Sequence, residues 1–140
     1  MKTLKTVLSA LAILFISNLL TNNVFAKSGD KPSPKVIGVI NRANWCAICK
    51  ANGQRVMSIM PTYTNKAIVF VPNDLTDAMT KAASAKELAK LGVAKTLSPV
   101  NATGVIVLVD ARTHKLLKTV SIAEYNEQIE AEINSALALK

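Results

Sequence analysis

Val36-Ile37-Gly38-Val39-Ile40-Asn41-Arg42-Ala43-Asn44-Trp45-Cys46-Ala47-Ile48-Cys49-Lys50 opens on an apolar run and closes on the only two cysteines in the chain. The run has the length and continuous character of a short strand buried on both faces. The cysteines, three positions apart, fall on the opening turn of the helix that follows it. Two thiols so spaced can close a small disulfide ring or stand open as a dithiol, so the pair can carry two electrons reversibly. A helix start also presents unpaired N–H groups and the positive end of the helix dipole. Both favour a thiolate at the first cysteine.

Working outward, the first strand covers Val36–Asn41 and a helix runs from Cys46 to Met60, with Val56, Ile59 and Met60 as its apolar stripe and Pro61 as its stop. A second apolar run, Ala67–Val71, ends at Pro72-Asn73-Asp74. Thr76 to Leu91 reads as helical and Gly92 as its C-cap, with a capping box at Ser84-Ala85-Lys86-Glu87 that can divide it in two. Residues 93–103, which include Pro99, have no periodicity and read as a loop. Gly104–Asp110 is a strand, Arg112-Thr113-His114 a turn, and Lys115–Val120 the antiparallel return. Ser121-Ile122-Ala123-Glu124 is a second capping box. It opens a last helix whose stripe is Ile122, Tyr125, Ile129, Ile133 and Leu137. The order β-α-β-α-β-β-α defines an α/β protein. A right-handed crossover makes the first two strands parallel, and the hairpin adds two more to one mixed sheet. The first and last helices then share one face and the middle helical segment takes the other. The cysteines lie at the carboxyl end of the first strand, where open α/β sheets place their sites.

The first 26 residues carry Lys2 and Lys5, an apolar core from about Val7 to Leu20, and Val24-Phe25-Ala26. This is the layout of a secretory signal peptide, and the core, broken by Ser17 and Asn18, is short for a membrane span. Residues 27–35, rich in Pro, Gly and Ser, read as a flexible leader, and 36–140 as the domain. Removal of 1–26 takes two of seventeen basic residues and none of nine acidic ones, leaving a net charge of +6 on 114 residues. The charges are dispersed and aromatics few, which reads as a solvated basic surface and argues against nucleic-acid binding. The expected location is periplasmic or secreted, with no stable membrane insertion after cleavage.

An exported chain with two cysteines ordinarily spends them on a structural bridge. A separation of three closes too small a loop to stabilise much by chain entropy, so an exchangeable pair is the stronger reading.

With these residues in place, the chain resembles the thioredoxin superfamily. Ala43-Asn44-Trp45-Cys46-Ala47-Ile48-Cys49-Lys50 is similar to that family's active-site segment, including the Trp before the first cysteine and the Lys after the second. The resemblance covers about residues 36–138. It implies a minimal thioredoxin-like fold with β1 (Val36–Asn41), β2 (Ala67–Val71), β3 (Gly104–Asp110) and β4 (Lys115–Val120) in the sheet order β2-β1-β3-β4 and helices on both faces. It also implies that Cys46 is the exposed nucleophile and Cys49 the more buried resolving thiol. Arg42 and Lys50 would stabilise the thiolate, and Trp45, Thr103 and Gly104 would contact substrate. The implied partners are protein disulfides or dithiols and an external electron donor or acceptor, with no cofactor and no metal.

Two positions depart from the family pattern. Six residues before the first cysteine, where many thioredoxins bury a carboxylate, stands Ile40. Before the third core strand, where the family carries a cis-proline, the count gives Thr103-Gly104, with Pro99 five residues upstream of Gly104. Either Pro99 folds into that role or Thr-Gly replaces Thr-Pro. Two other readings stand beside the redox one. The thiolates can hold Cu(I) or Zn(II), although His114, the single histidine, is placed at the far end of the third strand. Alternatively, the disulfide can staple a non-catalytic partner-binding module.

Overall fold

The computed structural model describes residues 32–139. The expected signal peptide, residues 1–26, and residues 27–31 of the expected leader lie outside the described residues. Strand β1 spans Val36–Arg42, helix α1 Ala47–Met57, strand β2 Ile68–Asp74, helix α2 Ala78–Lys90, helix α3 Ala94–Leu97, strand β3 Val105–Asp110, strand β4 Leu116–Ser121 and helix α4 Asn126–Ala138. The four strands form one sheet in the order β2-β1-β3-β4. β1 runs parallel to β2 and antiparallel to β3, and β3 is antiparallel to β4. This is the expected mixed sheet, with β1 inside it.

Period-two alternation sorts the strand residues into two cores. Val36, Ile106, Leu108 and Val120 face α1 and α4, where Val56, Ile129 and Ile133 meet them. Ile37, Val39, Val107 and Val109 face α2 and α3, against Leu88, Val93 and Leu97. Burying each such aliphatic side chain stabilises the fold by roughly 1.5–3 kcal/mol, and β1 is apolar throughout because it supplies both cores.

Several boundaries differ from the sequence reading, each for a physical reason. β2 continues through Pro72 to Asp74; it is an edge strand, so a residue without an N–H breaks no ladder on its open side. α1 ends at Met57, and Pro61 sits in the first turn of a short 3-10 helix, Met60–Tyr63, rather than stopping the longer one. The helical segment after β2 is continuous. Its N-cap is Asp77, paired reciprocally with Thr80, while the Ser84 hydroxyl accepts the Asp74 amide at 2.9 Å instead of capping a second helix. Gly92 does close this helix, at φ +73, with Val93 N–H bonded to Leu88 O and Gly92 N–H to Ala89 O. Both bonds belong to a Schellman motif, completed by Val93 and Leu88 packing in the same core. Within 93–103, α3 replaces part of the expected loop and buries Leu97. α4 begins at Asn126, five residues after Ser121, whose hydroxyl accepts the Ala123 amide in a local turn. Tyr125 is consequently 77 % exposed and drops out of the apolar stripe, while Ile122 stays buried ahead of the helix.

Candidate functional site

Cys46 is the N-cap of α1, with extended backbone (φ −75°, ψ 111°), and it is joined to Cys49 in a disulfide. Cys46 Sγ accepts a hydrogen bond from Cys49 N–H at 3.1 Å. No acidic residue occupies the first turn of α1, so the dipole acts on the sulfur without a competing anion.

The exposure of the two cysteines is the reverse of what the family resemblance implies. Cys46 is buried, at 6 % exposure, and Cys49 is partly exposed. The cause is the chain reversal ahead of β3. Gly104, at φ +74, donates its N–H to Asn41 O (2.8 Å), and its carbonyl accepts Ile122 N–H (2.9 Å). So fixed, it lies over the first sulfur: a Cβ on Gly104 would stand 3.5 Å from Cys46 Sγ and 3.0 Å from Ile48 Cγ2. The positive φ and this close approach together call for glycine. The question of the cis-proline position is thereby answered. No described peptide bond is cis, Gly104 is the residue against the disulfide, and Pro99 is exposed in the segment before it. Thr103 is half-buried beside Gly104.

On its other side the disulfide borders a cavity of about 220 Å³. Cys49 lines it together with Ile40, Val56, Met57 and Ile122, and Arg42 and Lys50 stand among its polar lining. Ile40, at the family's carboxylate position, gives this wall an alkyl surface. Among the described residues no Asp, Glu or His lines the cavity to take a proton from Cys49.

Arg42 is not free to serve a thiolate. Its Nε and Nη2 both donate to Asp74 Oδ2, at 3.1 and 2.9 Å. Asp74 Oδ1 accepts Thr76 N–H, and these Thr76 contacts, ahead of the Arg42 charge, hold the Asp74 carboxyl below its ordinary 3.8. Thr76 in turn accepts Asn44 N–H on Oγ1 (3.0 Å) and the Trp45 indole N–H on its carbonyl (3.1 Å). Trp45 is thus pinned at its polar edge while 60 % of it remains exposed beside the cysteines. Lys50 is exposed and has no ion-pair partner among the described residues.

Two residues that hold the site were missed in the sequence. Asn41 is fully buried; its amide donates to Val100 O (3.2 Å) and Ala102 O (3.1 Å) and accepts from the buried Asn73 amide at 2.8 Å. These bonds tie β1 and β2 to the segment that ends at Gly104. The available signal was an asparagine closing a strand buried on both faces, where a polar group needs partners. Arg55, from the third turn of α1, donates to the carbonyls of Ile122 (2.7 Å) and Glu124 (2.8 Å) and to Asn126, fixing the cysteine helix to the start of α4. Nothing local in the sequence marks it.

His114 sits at the opposite end of β3 from Gly104, at φ 55 and packed against Gly92. Among the described residues no three His, Cys, Asp or Glu side chains converge as a metal site. The cysteine pair would have to bind an ion with two thiolates alone.

No protein-family model matches the sequence, and no curated protein matches it. Among solved structures, the chain is similar to Malassezia sympodialis thioredoxin (Mala s 13), at 20 % identity and TM-score 0.50, over 77 % of this chain and 82 % of that one. It is also similar to Fasciola hepatica thioredoxin, at 17 % identity and TM-score 0.46, over 73 % of this chain and 82 % of that one. The chain therefore has a minimal thioredoxin-like α/β fold, and its Cys46–Cys49 pair fits a CxxC motif at the helix start. A disulfide held at a helix tip, with one sulfur on a cavity, is an arrangement suited to thiol–disulfide exchange.

Proposed function

We propose that the protein is an exported thiol–disulfide oxidoreductase working through Cys46 and Cys49, and that it acts as a periplasmic reductase rather than an oxidant. The observation that carries the reading is the position of Cys46 at the N-cap of α1, its sulfur accepting the Cys49 amide. In the dithiol form the helix tip favours the Cys46 thiolate. That thiolate attacks a substrate disulfide, one substrate sulfur leaves as a thiolate, and Cys49 then attacks Cys46 in the mixed disulfide to release the second. Exposed Trp45 and Ile48 offer an apolar rim for a protein substrate, and the backbone around Thr103 an edge beside it.

What supports the reducing direction is how little stabilises the thiolate beyond the helix tip. A strong oxidant is one whose reduced form is held firmly. Here one amide reaches the Cys46 sulfur, and the Arg42 guanidinium is spent on Asp74. That setting supports a reducing pair. The signal-like residues 1–26 support export. The test is turnover of insulin or a model disulfide by wild type and Cys46→Ser, with the equilibrium potential of the pair measured against glutathione. We expect loss of turnover in the variant and a potential below that of the glutathione couple. Equal rates would remove the redox reading, and a potential above glutathione would reverse its direction. A partner-binding module stapled by its disulfide would show no turnover, and the disulfide would stay closed even in excess dithiothreitol.

A further inference from the structure

The two sulfurs of the disulfide face different surroundings, and this has a chemical consequence. Cys46 is buried against Gly104, whereas Cys49 forms part of the wall of the 220 Å³ cavity. The remaining lining is mainly alkyl and thioether, from Val56, Met57, Ile122 and Ile40 among others, with Asn44 as a neutral polar member, and its charged members, Arg42 and Lys50, are both cations. Arg42 is neutralised by Asp74, which leaves Lys50 as the unpaired charge among the described lining residues. A small ligand fitting this cavity has a short apolar body and an anionic group.

We propose that the cavity binds a low-molecular-weight thiol bearing a carboxylate, and that this thiol regenerates the dithiol by attacking Cys49 rather than Cys46. The assignment rests on the thiol–disulfide exchange reading above and adds to it the regenerating reductant and its point of attack. Leaving-group chemistry points the same way as access. Attack at Cys49 Sγ expels Cys46 as the thiolate, and Cys46 is the sulfur at the helix tip that accepts the Cys49 amide. The more stabilised thiolate leaves faster. Attack at Cys46 would expel Cys49, which is no N-cap and faces an alkyl wall.

The steps balance. A thiolate RS⁻ attacks Cys49 Sγ; the Cys46–Cys49 bond breaks with its electron pair on Cys46, and a Cys49–SR bond forms. A second RS⁻ attacks the R sulfur, giving RSSR and the Cys49 thiolate. The two protons lost by the incoming thiols reappear on the protein thiols, and two electrons pass from two RSH to the disulfide. Substrate disulfides and the regenerating thiol then use different sulfurs, on opposite sides of the same bond.

The test uses the oxidised full-length protein and three probes: 3-mercaptopropionate (anionic), 2-mercaptoethanol (neutral) and cysteamine (cationic). Reduction rates are compared per unit of thiolate. Adducts are trapped by acid quench and alkylation and located by fragment mass spectrometry. The expected order is anionic over neutral over cationic, with at least a 10-fold spread between the extremes and the trapped adduct on Cys49. Met57→Trp, which fills the cavity from an exposed helix position, should slow the anionic thiol about 10-fold. Lys50→Glu should reduce or reverse the charge preference. Leu116→Ala, at an exposed β4 position outside the cavity lining, should leave the anionic rate within two-fold. An adduct on Cys46, or rates indifferent to both charge and Met57→Trp, overturns the assignment. Dithiothreitol separates the two levels of failure. If it reduces the disulfide while adducts map to Cys46, only the point of attack is wrong. If it fails to reduce the pair, the exchange reading falls as well.

Discussion

The two faces of the sheet contribute differently to the site. The face beneath α1 and α4 is an apolar core throughout, and it brings the cysteine helix to the end of β1. The face beneath α2 and α3 holds the only buried polar side chains among the described residues, Asn41 and Asn73, and these hold the segment that covers Cys46. One face supplies the reactive pair. The other decides which sulfur is covered. A helix can be placed by burial alone, because apolar contact is non-directional. A chain reversal that must approach a disulfide within van der Waals distance needs directional bonds, and buried amides provide them.

The largest expected effect tests that contrast directly. Asn41→Leu strands the Asn73 amide and the carbonyls of Val100 and Ala102, and leaving buried polar groups unpaired costs about 1–3 kcal/mol for each. We expect a loss of about 3 kcal/mol in urea unfolding and faster reaction of reduced Cys46 with iodoacetamide. Ile40→Val, the adjacent residue on the other face, should cost only about 1 kcal/mol and leave Cys46 alkylation unchanged. Equal losses of stability and equal alkylation rates in the two variants would dissolve the distinction between the faces.

Two glycines sharpen it from either side of the disulfide. Gly104→Ala forces a side chain to φ +74 and into Ile48, for a loss of about 1–2 kcal/mol. Gly53 lies inside α1, and a Cβ there would meet nothing within 4 Å. Gly53→Ala should therefore gain about 0.5–1 kcal/mol from helix propensity. Thermal unfolding of both variants reads the opposite signs.

The smallest effect is in pH. Asp74 is held below its ordinary 3.8, first by Thr76 and then by Arg42. A depressed carboxylate contributes stability that is fully present above the ordinary value and lost as pH falls through the lower folded one. The clamp on Asn44 and Trp45 should thus weaken only below about pH 3.8. For a partly exposed ion pair the loss should stay under about 1 kcal/mol. Trp45 fluorescence followed from pH 6 to pH 2 should change in that acid range in wild type, and the change should vanish in Asp74→Asn.

How much of this was legible in the sequence depends on whether the cause was local. The strand run Val36–Ile40, the CxxC spacing, the hairpin about Thr113 and the Gly92 C-cap are patterns of neighbours, and each appears where the sequence put it. The capping boxes at Ser84 and Ser121 were local patterns too, but Ser84 accepts the Asp74 amide ten positions upstream and Ser121 the Ala123 amide in a competing local turn. Arg42 looked like a cation for the thiolate until the parallel register of β1 and β2 set Asp74 opposite it.

The order of residues alone established a β-α-β-α-β-β-α chain with a dithiol pair at the first helix tip, since periodicity and spacing follow from backbone geometry. Which sulfur is covered could be decided only by folding. Gly104 reaches Cys46 through bonds to Asn41 and Ile122, and those residues stand 63 positions before it and 18 after it in the chain. Contacts across such distances depend on sheet order and loop closure, which no local window of sequence contains.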